Sequence, residues 1–216
     1  MEKTFSSQLH EISISYKLTT AYSWNRLFDA ENSRDRFIDY LIQMYHYVKF
    51  SCPLMELVKD KLNDKYESVR EYLKVHIQEE KGHDNWLLDD LERLGYSPNQ
   101  VKNSLPNRET IALIGSQFYI INQLNPVGYL GYIYYLESNP PTLESLQKLS
   151  ENLNIPQKAL FTLNEHAKAD PEHIMSLNSL LDSDIFDIND QKIITYNLQM
   201  TIENLSDLVL AVALKN

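Results

Sequence analysis

The sequence predicts an all-α fold, a single compact bundle of about seven helices. Two observations carry that prediction. Apolar residues recur at three- and four-residue steps through most of the chain, the period of a helix with one buried face. The 216 residues include only five glycines, too few for the tight turns of an all-β fold. With 43% hydrophobic and 23% charged residues, the chain suits one globular domain spanning residues 1–216.

Residues 5 to 28 read two ways. Ile12, Ile14, Tyr16 and Leu18 alternate like a strand, while Phe5, Leu9, Ile12 and Tyr16 fit a helix. The helical character of the rest of the chain favours helix. Ser33 is a credible cap for a helix from Arg34 to about Phe50, with Phe37, Leu41, Met44, Tyr45 and Val48 inward. His46 lies one position off that stripe and reads as a surface or supporting group. Pro53 opens a helix over about 53–64 carrying Leu54, Leu57, Val58 and Leu62, with Glu56 on its solvated side.

Tyr66 to Leu94 reads as one long helix, with Gly95 as its stop. Val69, Tyr72, Leu73, Leu87, Leu91 and Leu94 form its apolar stripe, but the middle of the stripe is His76, Glu80 and His83. On an ideal helix Glu80 and His83 lie about 60° apart, and His76 and His83 about 20° apart. A polar turn, YSPNQ, and a loop near Leu105-Pro106-Asn107 follow. A helix from about Glu109 to Gln123 then places Ile111, Ile114, Phe118 and Ile121 on one face. In PVGYLGYIYYLES, Gly128 and Gly131 leave a smooth flank for a close helix approach, and Glu137 ends a buried stripe with Leu130 and Ile133 or Tyr134. Asn139-Pro140-Pro141 breaks the chain, and Thr142 caps a short helix to about Leu153.

Between Pro156 and Leu181 the anomaly repeats. Leu160, Leu163, Leu177 and Leu180 bracket His166, Asp170 and His173 on one stripe. Pro171 falls within this run and predicts a kink, or a fresh helix start capped by Asp170. The last helix, about 189–213, turns Ile193, Tyr196, Met200, Ile202, Leu205 and Leu208 to the core.

Three helices thus carry inward-facing ligand-type residues: Glu80 and His83, then Glu137, then His166, Asp170 and His173. An unpaired buried charge costs several kcal/mol, so something inside must answer these groups. Oxygen and nitrogen donors without thiolate suit iron or manganese and leave zinc open. Three carboxylates against two divalent cations give a nearly neutral sum that can be buried. A lone histidine on an apolar face is more often a satisfied core residue, and Glu-x-x-His alone is a weak signal. The conjunction of three blocks is strong. His76 reads as either a substrate-facing ligand or a supporting partner of the ligands, and His10 as a surface residue.

The bulk numbers exclude several classes. A net charge of −10 disfavours nucleic acid and anionic membranes as partners. Cys52 is the only cysteine, so no disulfide framework or thiolate metal site forms, and it reads as an inert core residue. MEKTFSSQLHEIS lacks the apolar stretch of a signal peptide, and the longest apolar run, Leu208 to Leu214, is too short to span a bilayer. A soluble, cytoplasmic protein is expected.

HIQEEKGHDNWLLDDLERLG at 76–95, GYIYYLES at 131–138 and HAKADPEH at 166–173 resemble the haem-oxygenase-like di-iron oxidases and oxygenases, a family of iron-containing redox enzymes. The resemblance covers about residues 35 to 182. The ligand spacing is similar to that of members that decarboxylate fatty acids to terminal alkenes, and of members linked to p-aminobenzoate synthesis. It implies a haem-oxygenase-like bundle that holds no haem. It further implies two Fe(II) ions per chain on Glu80, His83, Glu137, His166, Asp170 and His173, with manganese possible, dioxygen as co-substrate and a small organic molecule as substrate. Glu137 is the candidate bridge between the metals, and the tyrosines near it are candidates for a pocket wall. A homodimer is compatible with such a bundle. Three alternatives stand beside this reading: a self-oxidising member, a metal-independent thiaminase-like hydrolase using Cys52, and a non-enzymatic metal-binding helical protein.

Overall fold

The computed structural model describes residues 3–29 and 31–215. Among these residues it is helical throughout, with no strand. The ambiguous start is helical: α1 spans Phe5–Ser15 and α2 Lys17–Phe28, meeting at Tyr16. α3 (Ser33–Val48) and α4 (Ser51–Lys61) follow close to their expected bounds, although Asn32 rather than Ser33 holds the cap position of α3.

The expected Tyr66–Leu94 helix is two helices, α5 (Glu67–Glu80) and α6 (His83–Arg93). Lys81 is extended and Gly82 adopts φ +97°, in the left-handed region that L side chains resist. The break falls inside the ligand run, so Glu80 ends one helix and His83 begins the next. Gly95, at φ +95°, does close α6, with Tyr96 N–H donating to Leu91 O and Gly95 N–H to Glu92 O.

The YSPNQ stretch, read as a turn, holds α7 (Pro98–Asn103), because Ser97 and Gln100 form a reciprocal capping box with Pro98 at the first position. α8 (Arg108–Tyr119) runs into a π turn, Ile120–Leu124, and Asn107 caps its start. After a 3₁₀ turn come α9 (Leu130–Ser138) and α10 (Leu143–Leu153), the latter capped by Thr142 as the sequence predicts. α11 (Phe161–Leu181) continues unbroken through Pro171, with no fresh start and no cap at Asp170. α12 (Ile188–Ala213) is the longest element and starts from a capping box at Asp187.

α12 is the central rod, packed by α2, α8 and α9. The smooth flank predicted at Gly128 and Gly131 is where α12 approaches. A methyl group on Gly131 would collide with the backbone of Ile194 and Leu198, and one on Gly128 would stand 2.9 Å from side-chain carbons of Ile120 and Ile193.

Two helix faces differ from the expected ones. Ile111 is 59% exposed and Tyr196 54%, while Gln117, Asn197 and Thr201 are fully buried. The Asn197 amide donates to Gln117 Oε1 at 2.8 Å and to Gly128 O at 2.9 Å. A polar pair hydrogen-bonded across α8 and α12 thus occupies positions that apolar counting assigns to solvent. His46 is buried, not on the surface. Lys49 Nζ, 3.2 Å from Nδ1, requires that nitrogen to accept, so Nε2 donates to Ser104 Oγ at 2.8 Å. Among the described residues no helix is long and apolar enough to cross a membrane.

Candidate metal centre

Four helices converge on one cluster. α5 contributes His76, Glu79 and Glu80 near its C-terminal end, α6 contributes its first residue, His83, and α9 contributes Glu137. α11 contributes His166, Asp170 and His173. Its start is docked on α6 by Asp90, a buried carboxylate that accepts from Phe161 N–H at 3.1 Å and Thr162 N–H at 2.8 Å. Trp86 stacks on His83 at 4.0 Å between ring centroids and meets Phe161 edge-on, further fixing α6 to α11.

All six expected site residues lie in this cluster. Nδ1 of His83 is 3.0 Å from Glu80 Oε2, and Nδ1 of His173 is 3.0 Å from Glu137 Oε2. Nδ1 of His166 is 3.1 Å from Asp170 Oδ1. His76 belongs with them, its Nε2 lying 3.4 Å from Glu137 Oε1. Among the described residues, donor atoms converge in two groups. One is His76, Glu80, Glu137 and His173; the other is Glu80, His83 and His166; within each, the atoms lie within 4.8 Å of one another. Glu80 belongs to both groups, whereas Glu137, the candidate bridge of the sequence reading, belongs to the first alone. Asp170 stands outside both, 3.9 Å from Nδ1 of His173.

Glu79 carries no sequence signal, since it is one position off the stripe and its side chain is 45% exposed. Its Oε2 nevertheless lies 3.4 Å from Nδ1 of His76 and 3.6 Å from Nε2 of His173. Each of these two rings therefore stands between Glu137 on one nitrogen and Glu79 on the other.

Charge sharing follows the geometry. Burial pushes the Glu137 carboxyl up, but hydrogen bonds to His173 and His76 outweigh it and hold it down at about 2. Burial pulls His166 down, yet the bond to Asp170 and the charge of Glu80 raise it to about 9. His173 is raised, first by its bond to Glu137. His76 is raised despite burial, by Glu137. Burial acts to raise Glu80, but His83 and His166 bring it below its ordinary value. Asp170 is raised by burial. Without metal, protons on His76, His166 and His173 answer the carboxylates.

One atom is left over: Glu80 Oε1 is buried without a hydrogen-bond partner. A buried carboxylate oxygen without a donor is unfavourable by a few kcal/mol. The shared position of Glu80 and the donor set, all nitrogen and oxygen, fit divalent iron or manganese. Cys52 is not part of either group. Its Sγ faces Ile77 O at 3.7 Å, and burial followed by the charges of Glu80, Asp84 and Glu56 pushes the thiol up, away from the thiolate.

A cavity of about 520 Å³ opens onto the cluster. Exposed Lys17, Asn139 and Ser145 mark its solvent end, and Glu80, Glu137 and Asp170 its inner end. Between them the wall is apolar and aromatic and includes the tyrosines of α9, Tyr132 and Tyr135.

A family model described as iron-containing redox enzyme matches residues 38–187. Among curated proteins none matches the chain. Among solved structures, a domain of unknown function with a heme oxygenase-like fold from Shewanella denitrificans superposes with TM-score 0.82 at 21% identity. The match covers 95% of this chain and 89% of that one. A CADD-like protein of unknown function from Nostoc punctiforme gives TM-score 0.73 at 21% identity, covering 96% of each chain. A TenA homologue from Pseudomonas syringae gives 0.65 at 13% identity, covering 97% and 92%. At these identities the solved structures establish the haem-oxygenase-like fold and nothing finer.

Proposed function

This chain belongs to the iron-containing redox enzyme family, and from that premise we propose that it is a non-haem di-iron oxidase or oxygenase. It would hold two Fe(II) ions per chain and use dioxygen to oxidise a small organic substrate. The observation that carries the reading is the pair of donor groups meeting at Glu80, whose second oxygen has no partner inside the protein.

When bound, the two ferrous ions supply the electrons and open coordination positions that dioxygen reduction needs. The rest falls to the chain's own residues. His76, Glu80, Glu137 and His173 would hold one ion, and Glu80, His83 and His166 the other. Glu79 orients His76 and His173 from the outer nitrogen of each ring, and Asp170 does the same for His166 from Nδ1. The aromatic wall excludes bulk water and orients an apolar substrate toward the carboxylates. An amino acid would need a free fixed cation for its carboxylate; Lys17, at the solvent end, is the only lysine or arginine of the lining, and the imidazoles of His76 and His166 are engaged by Glu137 and Asp170. The cavity therefore favours an apolar substrate over an amino acid.

Anaerobic titration with Fe(II) tests the reading. Saturation at two ions per chain, followed by oxygen uptake when air is admitted, is the expected result. Saturation at one ion or none removes the di-iron assignment.

A further inference from the structure

α8 is apolar on its solvent side as well as on its core side. Leu113 and Ile114 are buried, yet Ile111 and Tyr119 are 59% and 60% exposed, and Gly115 and Phe118 stand exposed between them. On an ideal helix these four outward positions span about 100°, so they form one stripe. A solvated helix face ordinarily carries charge. Here no charged residue falls between Glu109 and Glu137, in a chain that is 23% charged. The later part of that span is core. The exposed stripe of α8 is not, and nothing in the bundle covers it.

Beside the stripe lies a groove of about 420 Å³ between α8 and the end of α12. Its middle is uncharged, with Ala112 on α8 and Leu210 and Ala211 on α12. The two helices run antiparallel, since Asn204 bonds Ser116 while Leu214 shares the groove with Arg108. Arg108, in the first turn of α8, therefore stands at one end, and Asp207, just after Asn204, lies toward the other. Glu109 holds Nε and Nη2 of Arg108, which leaves Nη1 for a partner. The Asp207 carboxylate is exposed.

This face matches itself. A twofold axis through the middle of the groove reverses its direction, which sets Arg108 of one copy against Asp207 of the partner subunit and repeats the contact on the other side. The Ile111 ridge of each copy can then enter the other's groove over the small Ala112 and Ala211. Copies carrying a net charge of −10 repel one another, and an uncharged stripe is where that repulsion is least. A membrane surface fits less well, because it calls for lysine and arginine around the apolar stripe. Arg108 is the only one in the groove, and Glu109 already holds it.

We propose that the protein is a homodimer joined through the outer face of α8 and the α8–α12 groove, with Arg108 of each copy meeting Asp207 of the partner subunit. None of these residues lines the cavity at the metal cluster, so the proposal stands or falls apart from the di-iron reading.

Sedimentation velocity on the full chain, across the micromolar range, tests it. The expected mass is twice the 25.3 kDa of one chain. Ile111→Glu should weaken the dimer about tenfold or more, with its circular dichroism unchanged. Arg108→Glu and Asp207→Arg should each weaken it too, because each places like charges in both cross-contacts. An equimolar mixture of those two variants should pair about tenfold more tightly than either alone, since both contacts then join opposite charges. No folding defect produces recovery on mixing, and the wild-type mass needs no variant. A wild-type monomer overturns the proposal, and one that floats with phosphatidylcholine vesicles assigns the face to lipid instead. A dimer untouched by Ile111→Glu, or a mixture that does not recover, overturns it equally.

Discussion

Glu80 and Glu137 look alike in the sequence, each a carboxylate on a buried stripe, yet they occupy different places. Glu137 sits between two imidazoles, both of its oxygens engaged. Glu80 is shared by two donor groups and keeps one oxygen unpartnered. Removing each should therefore have different consequences. Glu137→Ala should lower anaerobic iron stoichiometry from two ions to one, and Glu80→Ala should abolish both. Chromogenic iron assay of gel-filtered protein measures this, and equal losses in the two variants would contradict the shared role of Glu80. That these residues face inward was legible because ionisable residues interrupt an oily stripe, which is costly unless they are answered. The role of Glu79 was not, because it depends on where two rings from different helices come to rest.

Helix placement determines whether these residues meet. The period of the sequence identifies α5 and α6 but not the hinge between them. That hinge is a single glycine at φ +97°, and its freedom is invisible to a hydrophobicity count. Pro171 misleads in the opposite direction, since α11 passes through it without a break. Gln117 and Asn197 conceal the true faces of α8 and α12 because a hydrogen bond joins them inside the core. The paired glycines Gly128 and Gly131, at the entry to α9, were legible, as a three-residue spacing of small residues needs close approach to explain it. Gly131→Ala forces a methyl group into the α12 backbone. It should destabilise the protein by about 1–3 kcal/mol, the usual range for overpacking, read as a lower Tm. Gly115→Ala, where nothing lies within 4 Å of the added carbon, should leave Tm level or raise it. Equal effects at the two positions would deny the close α9–α12 contact.

At the scale of the molecule, the cluster links stability to pH and to metal. Glu137 falls from 4.5 to about 2 on folding, so its stabilisation is complete above pH 4.5 and lost as pH falls through about 2. His166 rises from 6.5 to about 9, so its stabilisation is complete below pH 6.5 and lost as pH rises through about 9. The metal-free protein should therefore melt highest between about pH 4.5 and 6.5, and Tm should fall from there to pH 9. Metal binding must displace the imidazole protons, so anaerobic Mn(II) should raise Tm more at pH 8 than at pH 6. Thermal melts across that range check both signs. The all-helical architecture was legible from the sequence because apolar periodicity suffices to specify it. The cavity was not, because it is walled by residues from widely separated parts of the chain that only the finished packing brings together.

The most direct test of the metal centre is crystallographic: anomalous difference maps at the iron edge, from crystals loaded with Fe(II) under anaerobic conditions. Two peaks per chain are predicted, one touching His76, Glu80, Glu137 and His173, and the other touching Glu80, His83 and His166. A single peak, or peaks that do not share Glu80, would contradict the account.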